Sequence, residues 1–169
     1  MRYFNGFCLS GEQELFKDIL ISSDYTLAGF SYGAILAFEE AMKSQSRVDR
    51  LILISPAFFQ NRAKRYKTLQ LSGWRRDRES YIQSFLDSCA KPSDFDLKKY
   101  RKDGRQEELK FLLEYEWKRE RLEELNQKGV TIELFLGAED KIVRSDEVLE
   151  FFDGVSISYL FKSAGHILR

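Results

Sequence analysis

The stretch Gly29-Phe30-Ser31-Tyr32-Gly33 carries the pattern G-x-S-x-G between two apolar runs. A serine hydroxyl is a weak nucleophile unless a base accepts its proton and hydrogen-bond donors receive the oxyanion. The run before Ser31 suits a buried strand and the run after it has a helical pattern. Ser31 is therefore a candidate nucleophile on a strand-to-helix turn, where flanking glycines allow a strained backbone. The alternative is a small residue in a tight bend.

A base for Ser31 has to come from His166, because it is the single histidine of the chain. A lone histidine usually has no catalytic task, but His166 follows the apolar run VSISYLF by a short loop. Such loops gather at the carboxyl edge of a parallel sheet, where Ser31 also emerges. An acid must then orient the imidazole. Asp140, in the loop after the run VTIELFLG, is the predicted acid, with Glu139 and Asp146 as rivals.

Two backbone amides are needed to receive the oxyanion. One is expected from Tyr32, the residue after the candidate nucleophile. The other is expected from Phe7, in the loop after the first strand, where Gly6 lets the backbone approach the substrate closely. The alternative for Asn5-Gly6 is a plain turn.

The elements that must position these residues alternate between strands and helices, which indicates a parallel α/β sheet. The predicted strands are RYF (2–4), YTLAGF (25–30), RLILIS (50–55), VTIELFLG (130–137) and VSISYLF (155–161). The predicted helices between them are SGEQELFKDIL (10–20), in which Ser10 and Gln13 have capping-box spacing, YGAILAFEEAMK (32–43) and SDEVLEFF (145–152).

The middle of the chain, about 59–128, contains no convincing strand and is predicted to be a helical cap inserted into a single domain of residues 1–169. Residues 106–128 are predicted to form one long helix that Gly129 ends. The insertion is net basic, with 18 Lys and Arg against 13 Asp and Glu, and the excess is concentrated in residues 62–78. A solvated helical face is the alternative explanation of these charges.

The whole chain has the composition of one folded domain, and its formal net charge of zero predicts neither a nucleic-acid nor a membrane partner. No apolar run approaches the roughly 18–20 residues that cross a bilayer, and the start does not look like a signal peptide. Cys8 and Cys89 have no metal-ligand spacing with His166, so no metal site is predicted. Two reduced thiols favour a cytoplasmic location.

With these residues identified, the chain resembles the α/β-hydrolase superfamily. GFSYGA, GAEDKIV and AGH match its nucleophile turn, acid loop and histidine loop, in the order Ser, Asp, His. Within the superfamily the chain is similar to the small pimeloyl-[acyl-carrier protein] methyl ester esterases of biotin synthesis, the BioV type. That likeness rests on the short length, the RYFNGF start, the position of Ser31 and the histidine near the end. The usual His-Gly before the oxyanion loop is Asn5-Gly6 here.

The resemblance implies a serine carboxyl-ester hydrolase that cleaves the methyl ester of a pimeloyl group carried by acyl carrier protein and releases methanol. Ser31 would attack the ester, His166 would transfer the proton, Asp140 would hold His166, and the amides of Phe7 and Tyr32 would bind the oxyanion. No metal or organic cofactor is implied.

The partner implied by the resemblance is the acidic acyl carrier protein, for which a basic cap is a plausible docking surface. The candidate docking residues are Arg62, Lys64, Arg65, Lys67, Arg75, Arg76 and Arg78. Phe58, Phe59 and Trp74 are candidates to line an acyl channel beneath the cap, or to belong to the core.

Two other functions stay open at this stage. One is a general short-chain esterase or thioesterase, in which the cap charges only keep the protein in solution. The other is a binding module with a hydrolase-like fold, in which the three residues have no catalytic task.

Overall fold

The computed structural model describes all 169 residues, which form a five-stranded sheet with helices around it. All strands are parallel, and their order in the sheet is their order in the chain. The strands are β1 (Arg2–Phe4), β2 (Thr26–Phe30), β3 (Arg50–Ile54), β4 (Thr131–Gly137) and β5 (Ile157–Phe161).

Six α-helices and two short 3-10 helices connect the strands. The α-helices are α1 (Tyr32–Lys43), α2 (Lys64–Arg76), α3 (Arg78–Ala90), α4 (Gln106–Glu114), α5 (Arg119–Gln127) and α6 (Ser145–Phe152). The 3-10 helices are Glu12–Phe16 and Lys98–Tyr100. None of these helices combines the length and the apolar character needed to cross a bilayer.

The strands end nearly level with one another at the carboxyl edge of the sheet. Phe30 at the end of β2 pairs with Ile54 at the end of β3, and Gly137 at the end of β4 pairs with Phe161 at the end of β5. The loops that follow these strands are therefore brought together at one edge, as the sequence predicts.

One face of the sheet is covered by α1, α5 and α6. The ring of Trp117, just before α5, contacts Phe38 of α1 at 5.1 Å and Phe152 of α6 at 5.3 Å between ring centroids. On the opposite face, Phe16 of the first 3-10 helix packs against Phe30 at 5.1 Å. The edge strand β5 is different, because all five of its residues are exposed.

The predicted helix over residues 10–20 is wrong in its type and its cap. Only the 3-10 helix Glu12–Phe16 forms, and it is preceded by Gly11 with φ of 75°, not by a capping box. The backbone N–H of Ser10 donates to the carbonyl of Tyr100 at 2.7 Å, so Ser10 is paired with a distant segment. Local helix signals are overridden by this tertiary contact.

The predicted long helix over residues 106–128 is also wrong, because α4 ends at Glu114 and α5 begins at Arg119. The break lets Trp117 turn into the core. Its indole N–H donates to the carbonyl of Ala57 at 2.9 Å, and its backbone N–H donates to Oε1 of Gln60 at 2.7 Å. These two bonds anchor the chain between the helices.

Helix α2 packs against both α3 and α4, and the three helices form a cap over the carboxyl edge. The cap contacts the loop after β1, where the ring of Phe7 lies 5.6 Å from Trp74 of α2 and 5.6 Å from Phe85 of α3. Helix α5 is not part of this cap and contacts α1 and β4 on the covered face of the sheet. The bounds 59–128 of the insertion stay a prediction.

Candidate active site

Ser31 lies at the junction of β2 and α1 with φ of 54° and ψ of −112°, a conformation that residues with a side chain rarely adopt. Three backbone hydrogen bonds hold it there. The N–H of Ser31 donates to the carbonyl of Ile54 at 2.8 Å, and its carbonyl accepts from Ala34 and Ala57, both at 3.1 Å. The strained turn expected from the sequence is present and is fixed from both sides.

The two glycines of the motif are required by close backbone approach. A Cβ atom on Gly29 would lie 2.1 Å from the carbonyl oxygen of Gly33, and one on Gly33 would lie 2.0 Å from that of Phe4. Both distances are far inside van der Waals contact, and the neighbours are backbone atoms that cannot swing away. The glycines therefore allow α1 to lie directly against the ends of β1 and β2.

The three residues expected to form a triad lie within hydrogen-bond distance of one another. Nε2 of His166 is 3.0 Å from Oγ of Ser31, and Nδ1 of His166 is 2.7 Å from Oδ2 of Asp140. Ser31 is 4% exposed and His166 is 0% exposed, so the group is shielded from bulk water. The arrangement can pass a proton from the serine hydroxyl to an imidazole that a carboxylate orients.

Asp140 is the acid that reaches His166. Its other oxygen, Oδ1, accepts from the backbone N–H groups of Ile142 at 2.7 Å and Val143 at 3.1 Å. The side chains of the rivals Glu139 and Asp146 are exposed and make no bond with the imidazole. Backbone donors thus fix the carboxylate of Asp140 in one orientation.

His166 is positioned by Ser55, a residue that was not predicted to belong to the site. The hydroxyl of Ser55, at the end of β3, donates to the backbone carbonyl of His166 at 2.7 Å. Ser55 is buried and has a positive φ of 41°. The available signal was a serine between the buried strand RLILI and Pro56. The ring of Phe30 packs against the imidazole of His166, with 4.9 Å between the ring centroids.

The two expected oxyanion donors follow β1 and β2 at this edge, Phe7 in the loop after β1 and Tyr32 at the start of α1. Tyr32 is the first residue of α1, so its N–H has no acceptor within the helix. The N–H of Phe7 donates to no acceptor in the chain. The amide of the neighbouring Gly6 is occupied, since it donates to Oε1 of Glu12 at 2.7 Å. Glu12 is a second residue that sequence reasoning missed.

The two thiols near the site are poor candidates for nucleophiles. Burial raises the pKa of Cys8 to about 12. Burial also raises the pKa of Cys89 well above its usual value, and the negative charge of Asp140 raises it further. Both cysteines are free and stay protonated at neutral pH. No cluster of three or more His, Cys, Asp or Glu side chains is arranged to hold a metal ion.

A cavity of about 250 Å³ lies between the cap and the acid loop. Its apolar wall consists of Phe59, Phe85, Leu109, Leu112, Leu113 and Ile142. Of the three expected channel residues, only Phe59 lines it. Phe58 packs against Phe151 at 5.2 Å, and Trp74 packs against Phe7 and Tyr81. The cavity adjoins the site through Phe85, which contacts Phe7, and through Ile142, which bonds Asp140.

The basic residues of the cap have different surroundings. Lys64, Arg65, Arg75 and Arg76 share the exposed side of α2, and none of them makes an ion pair. Leu69 lies on the same side with 58% exposure.

The other three candidate docking residues are less accessible to a partner protein. Arg78 pairs with Asp103 at 3.2 Å, and Arg62 stacks on the ring of Tyr66 at 5.2 Å. Lys67 is half-buried on the flank of α2.

No family model matches the chain, and no curated protein matches it. Among solved structures it is similar to the esterase EaEST from Exiguobacterium antarcticum, with a TM-score of 0.67 and 20% identity over 83% of this chain and 59% of that one. It is similar to MenH from S. aureus, with a TM-score of 0.64 and 16% identity over 97% of this chain and 85% of that one.

The chain has the α/β-hydrolase fold. The esterase RhEst1 from Rhodococcus sp. ECU1013 is a further match, with a TM-score of 0.67 and 14% identity over 97% of this chain and 82% of that one. The chain spans only 54–59% of the first three matched structures. At these identities the α/β-hydrolase likeness concerns the fold, and the activity has to be argued from the site.

Proposed function

We propose that the protein is a serine carboxyl-ester hydrolase in which Ser31, His166 and Asp140 form a catalytic triad. The observation that carries this proposal is the chain of hydrogen bonds from Ser31 through His166 to Asp140, at 3.0 and 2.7 Å, on a strained strand-to-helix turn. A strained backbone costs stability, and it persists where a function requires it.

In the first half of the reaction, Oγ of Ser31 attacks the ester carbonyl while Nε2 of His166 accepts the hydroxyl proton. The negative charge on the carbonyl oxygen is received by the N–H groups of Tyr32 and Phe7, and the positive end of the α1 dipole points the same way. The tetrahedral intermediate then expels the alkoxide, which takes the proton from His166 and leaves as an alcohol. Asp140 stabilises the imidazolium throughout.

In the second half, water attacks the acyl-Ser31 ester and His166 accepts a proton from it. The second tetrahedral intermediate collapses, Ser31 regains its proton from His166, and the carboxylic acid leaves. The same two amides stabilise both intermediates. No step requires a metal ion or an organic cofactor.

The acyl chain of the substrate occupies the cavity between α2, α3 and α4. Its apolar wall suits methylene groups, and at about 250 Å³ it admits a short chain only. Its polar side, where the hydroxyl of Tyr81 donates to Oε1 of Gln70 at 2.9 Å, offers hydrogen-bonding groups to a polar atom farther along the chain.

The substrate within this class is the methyl ester of pimeloyl-[acyl-carrier protein], which the enzyme cleaves to methanol and the free carboxylate needed for biotin synthesis. The proposal is supported by the likeness of the motifs GFSYGA, GAEDKIV and AGH and by the exposed side of α2. Four cations without an ion pair and one exposed leucine suit a partner whose acidic surface also offers an apolar contact, as an acyl carrier protein would.

Labelling with a fluorophosphonate probe tests the hydrolase part of the proposal. The wild-type protein is expected to be labelled at Ser31, and Ser31→Ala is expected to remain unlabelled. A folded wild-type protein that resists the probe would point to a binding module with the same fold.

A comparison of two substrates tests the carrier-protein part. The carrier-bound methyl ester and the methyl ester of the free acid contain the same scissile bond, so any difference in kcat/KM comes from the carrier. We expect the carrier-bound ester to be preferred at low salt and the preference to shrink at high salt. Equal values for both would favour a general short-chain esterase or thioesterase.

A further inference from the structure

The carboxyl group of Glu12 is fully buried, with 0% exposure, beneath the loop after β1. Its Oε1 accepts two hydrogen bonds, from the backbone N–H of Gly6 at 2.7 Å and from the hydroxyl of Tyr3 at 3.2 Å. Its Oε2 has no partner. Burial raises the pKa of Glu12, and its two donors only partly oppose that rise. A buried oxygen without a hydrogen-bond donor lowers the stability of the fold. The presence of a glutamate at this position therefore has to be explained by something other than stability.

The group that Glu12 holds is adjacent to an oxyanion donor. Gly6 precedes Phe7, and the Gly6 carbonyl and the Phe7 N–H belong to one planar peptide unit. That carbonyl accepts from the N–H of Leu9 at 3.2 Å, so the Phe7 N–H is directed to the opposite side. Glu12 fixes the other end of Gly6 through its amide. The two bonds together set the direction in which the Phe7 N–H points.

No other side chain holds the backbone at Gly6 in the way that Glu12 does. A Cβ atom on Gly6 would lie 2.7 Å from the ring of Phe30, so the residue has to be glycine or Phe30 must shift. Glycine has wide backbone freedom and therefore needs an external restraint. Asn5 restrains only the far side of the loop, where its Oδ1 accepts from the N–H of Gly11 at 3.1 Å.

We infer that Glu12 is a positioning residue for the oxyanion hole, which acts by holding the Gly6–Phe7 backbone in place. This inference rests on the proposed function. Glu12 touches neither the substrate nor the reacting atoms, so its effect is transmitted through the amide of Gly6. Loss of that restraint is expected to affect the transition state, which places a full charge on the oxygen, more than the bound ester.

Glu133 provides a matched control. It is also a buried glutamate, at 7% exposure, and its Oε2 also lacks a partner. Its Oε1 accepts from Arg50 at 2.5 Å, and it lies within β4, away from the loop after β1. Glu133→Ala therefore reports what the loss of a buried carboxylate does to the fold without disturbing Gly6.

The experiment measures kcat and KM for p-nitrophenyl butyrate hydrolysis by the wild type, Glu12→Ala, Glu12→Gln and Glu133→Ala. Glu12→Ala is expected to lower kcat about tenfold to hundredfold with KM changed by less than about threefold, since outright removal of an oxyanion donor costs roughly 10²–10³. Glu12→Gln keeps an acceptor oxygen for the Gly6 amide and is expected to restore kcat to within about threefold of the wild type. Glu133→Ala is expected to leave kcat nearly unchanged.

The inference is overturned if Glu12→Ala and Glu133→Ala have the same kcat, or if the loss in Glu12→Ala lies entirely in KM. Should Glu12→Ala not fold, Glu12→Asp replaces it, because the shorter side chain withdraws the carboxyl group from Gly6. A wild-type kcat in Glu12→Asp then overturns the inference. A wild type that neither hydrolyses the ester nor reacts with a fluorophosphonate contradicts the proposed function itself.

Discussion

The carboxyl edge of the sheet and the outer side of α2 use charged and polar groups in opposite ways. At the edge, Ser31 and His166 are buried, the side chain of Asp140 is 0% exposed, and both oxygens of Asp140 have partners. On α2, four cations point into solvent with no ion pair. A buried hydrogen-bonded group loses its function when any one of its residues is replaced. Exposed charges instead attract a partner through their summed field. We therefore expect single substitutions to decide the chemistry and several substitutions together to decide the partner.

Removing the nucleophile or the base gives the largest expected effect. Ser31→Ala and His166→Ala are each expected to lower kcat by roughly 10⁴- to 10⁶-fold, because the three residues act as one unit. The double variant should be no worse than either single variant. Steady-state hydrolysis of p-nitrophenyl butyrate measures this, and losses that multiply in the double variant would contradict a shared step.

Asp140→Asn gives the next largest effect. The amide keeps the size of the side chain but favours the wrong tautomer of His166, so kcat is expected to fall by about 10⁴-fold. The two backbone donors, from Ile142 and Val143, can still bond the amide oxygen, which should preserve the fold. Thermal unfolding checks the fold. Glu139→Gln, on the exposed neighbour, is the control and should retain wild-type kcat.

The exposed side of α2 is expected to have a smaller effect that depends on salt. Replacing Lys64, Arg65, Arg75 and Arg76 together by glutamine should lower kcat/KM for the carrier-bound ester by about tenfold to hundredfold at low salt. The free methyl ester should be unaffected. Replacement of four other exposed lysines of the insertion, Lys98, Lys102, Lys110 and Lys118, is the matched control. An equal loss in that variant would mean that the basic charge acts without a defined docking surface.

A substitution in the wall of the cap cavity is expected to have the smallest effect, and one that depends on the length of the acyl chain. Leu112→Phe adds volume to the apolar wall of the cavity. Hydrolysis of p-nitrophenyl octanoate should fall about tenfold, because a change of one methylene in an apolar pocket alters kcat/KM by roughly tenfold or more. Hydrolysis of p-nitrophenyl acetate should not change, which makes it the internal control. If both esters lose activity equally, the acyl chain does not occupy this cavity.

The sequence predicted the parallel sheet and the meeting of Ser31, Asp140 and His166 because strong local patterns carried that information. Each of the three residues directly follows an apolar run or lies a short loop after one, and parallel strands end at one edge. The turn at Ser31 was predictable for the same reason, since close approach at Gly29 and Gly33 admits no other residue type.

The sequence did not predict what depends on distant contacts. The break between α4 and α5 contains neither glycine nor proline, and it exists because Trp117 bonds Ala57 and Gln60. The 3-10 helix at Glu12 replaces a longer helix because Glu12 turns inward to Gly6 and Ser10 pairs with Tyr100. Ser55 and Glu12 were missed because each acts on the backbone of another loop, and no local pattern marks such a role.

The burial of the site affects the apparent affinity for the substrate. Ser31 is 4% exposed and His166 is 0% exposed, so we expect the cap to move away from the sheet when an ester reaches Oγ. The apparent dissociation constant then equals the intrinsic one divided by the open fraction, so an open population of about 1% weakens apparent affinity about a hundredfold. A partner that binds α2 more tightly in the open form would remove that penalty, so that docking would raise turnover at low substrate concentration without altering the triad.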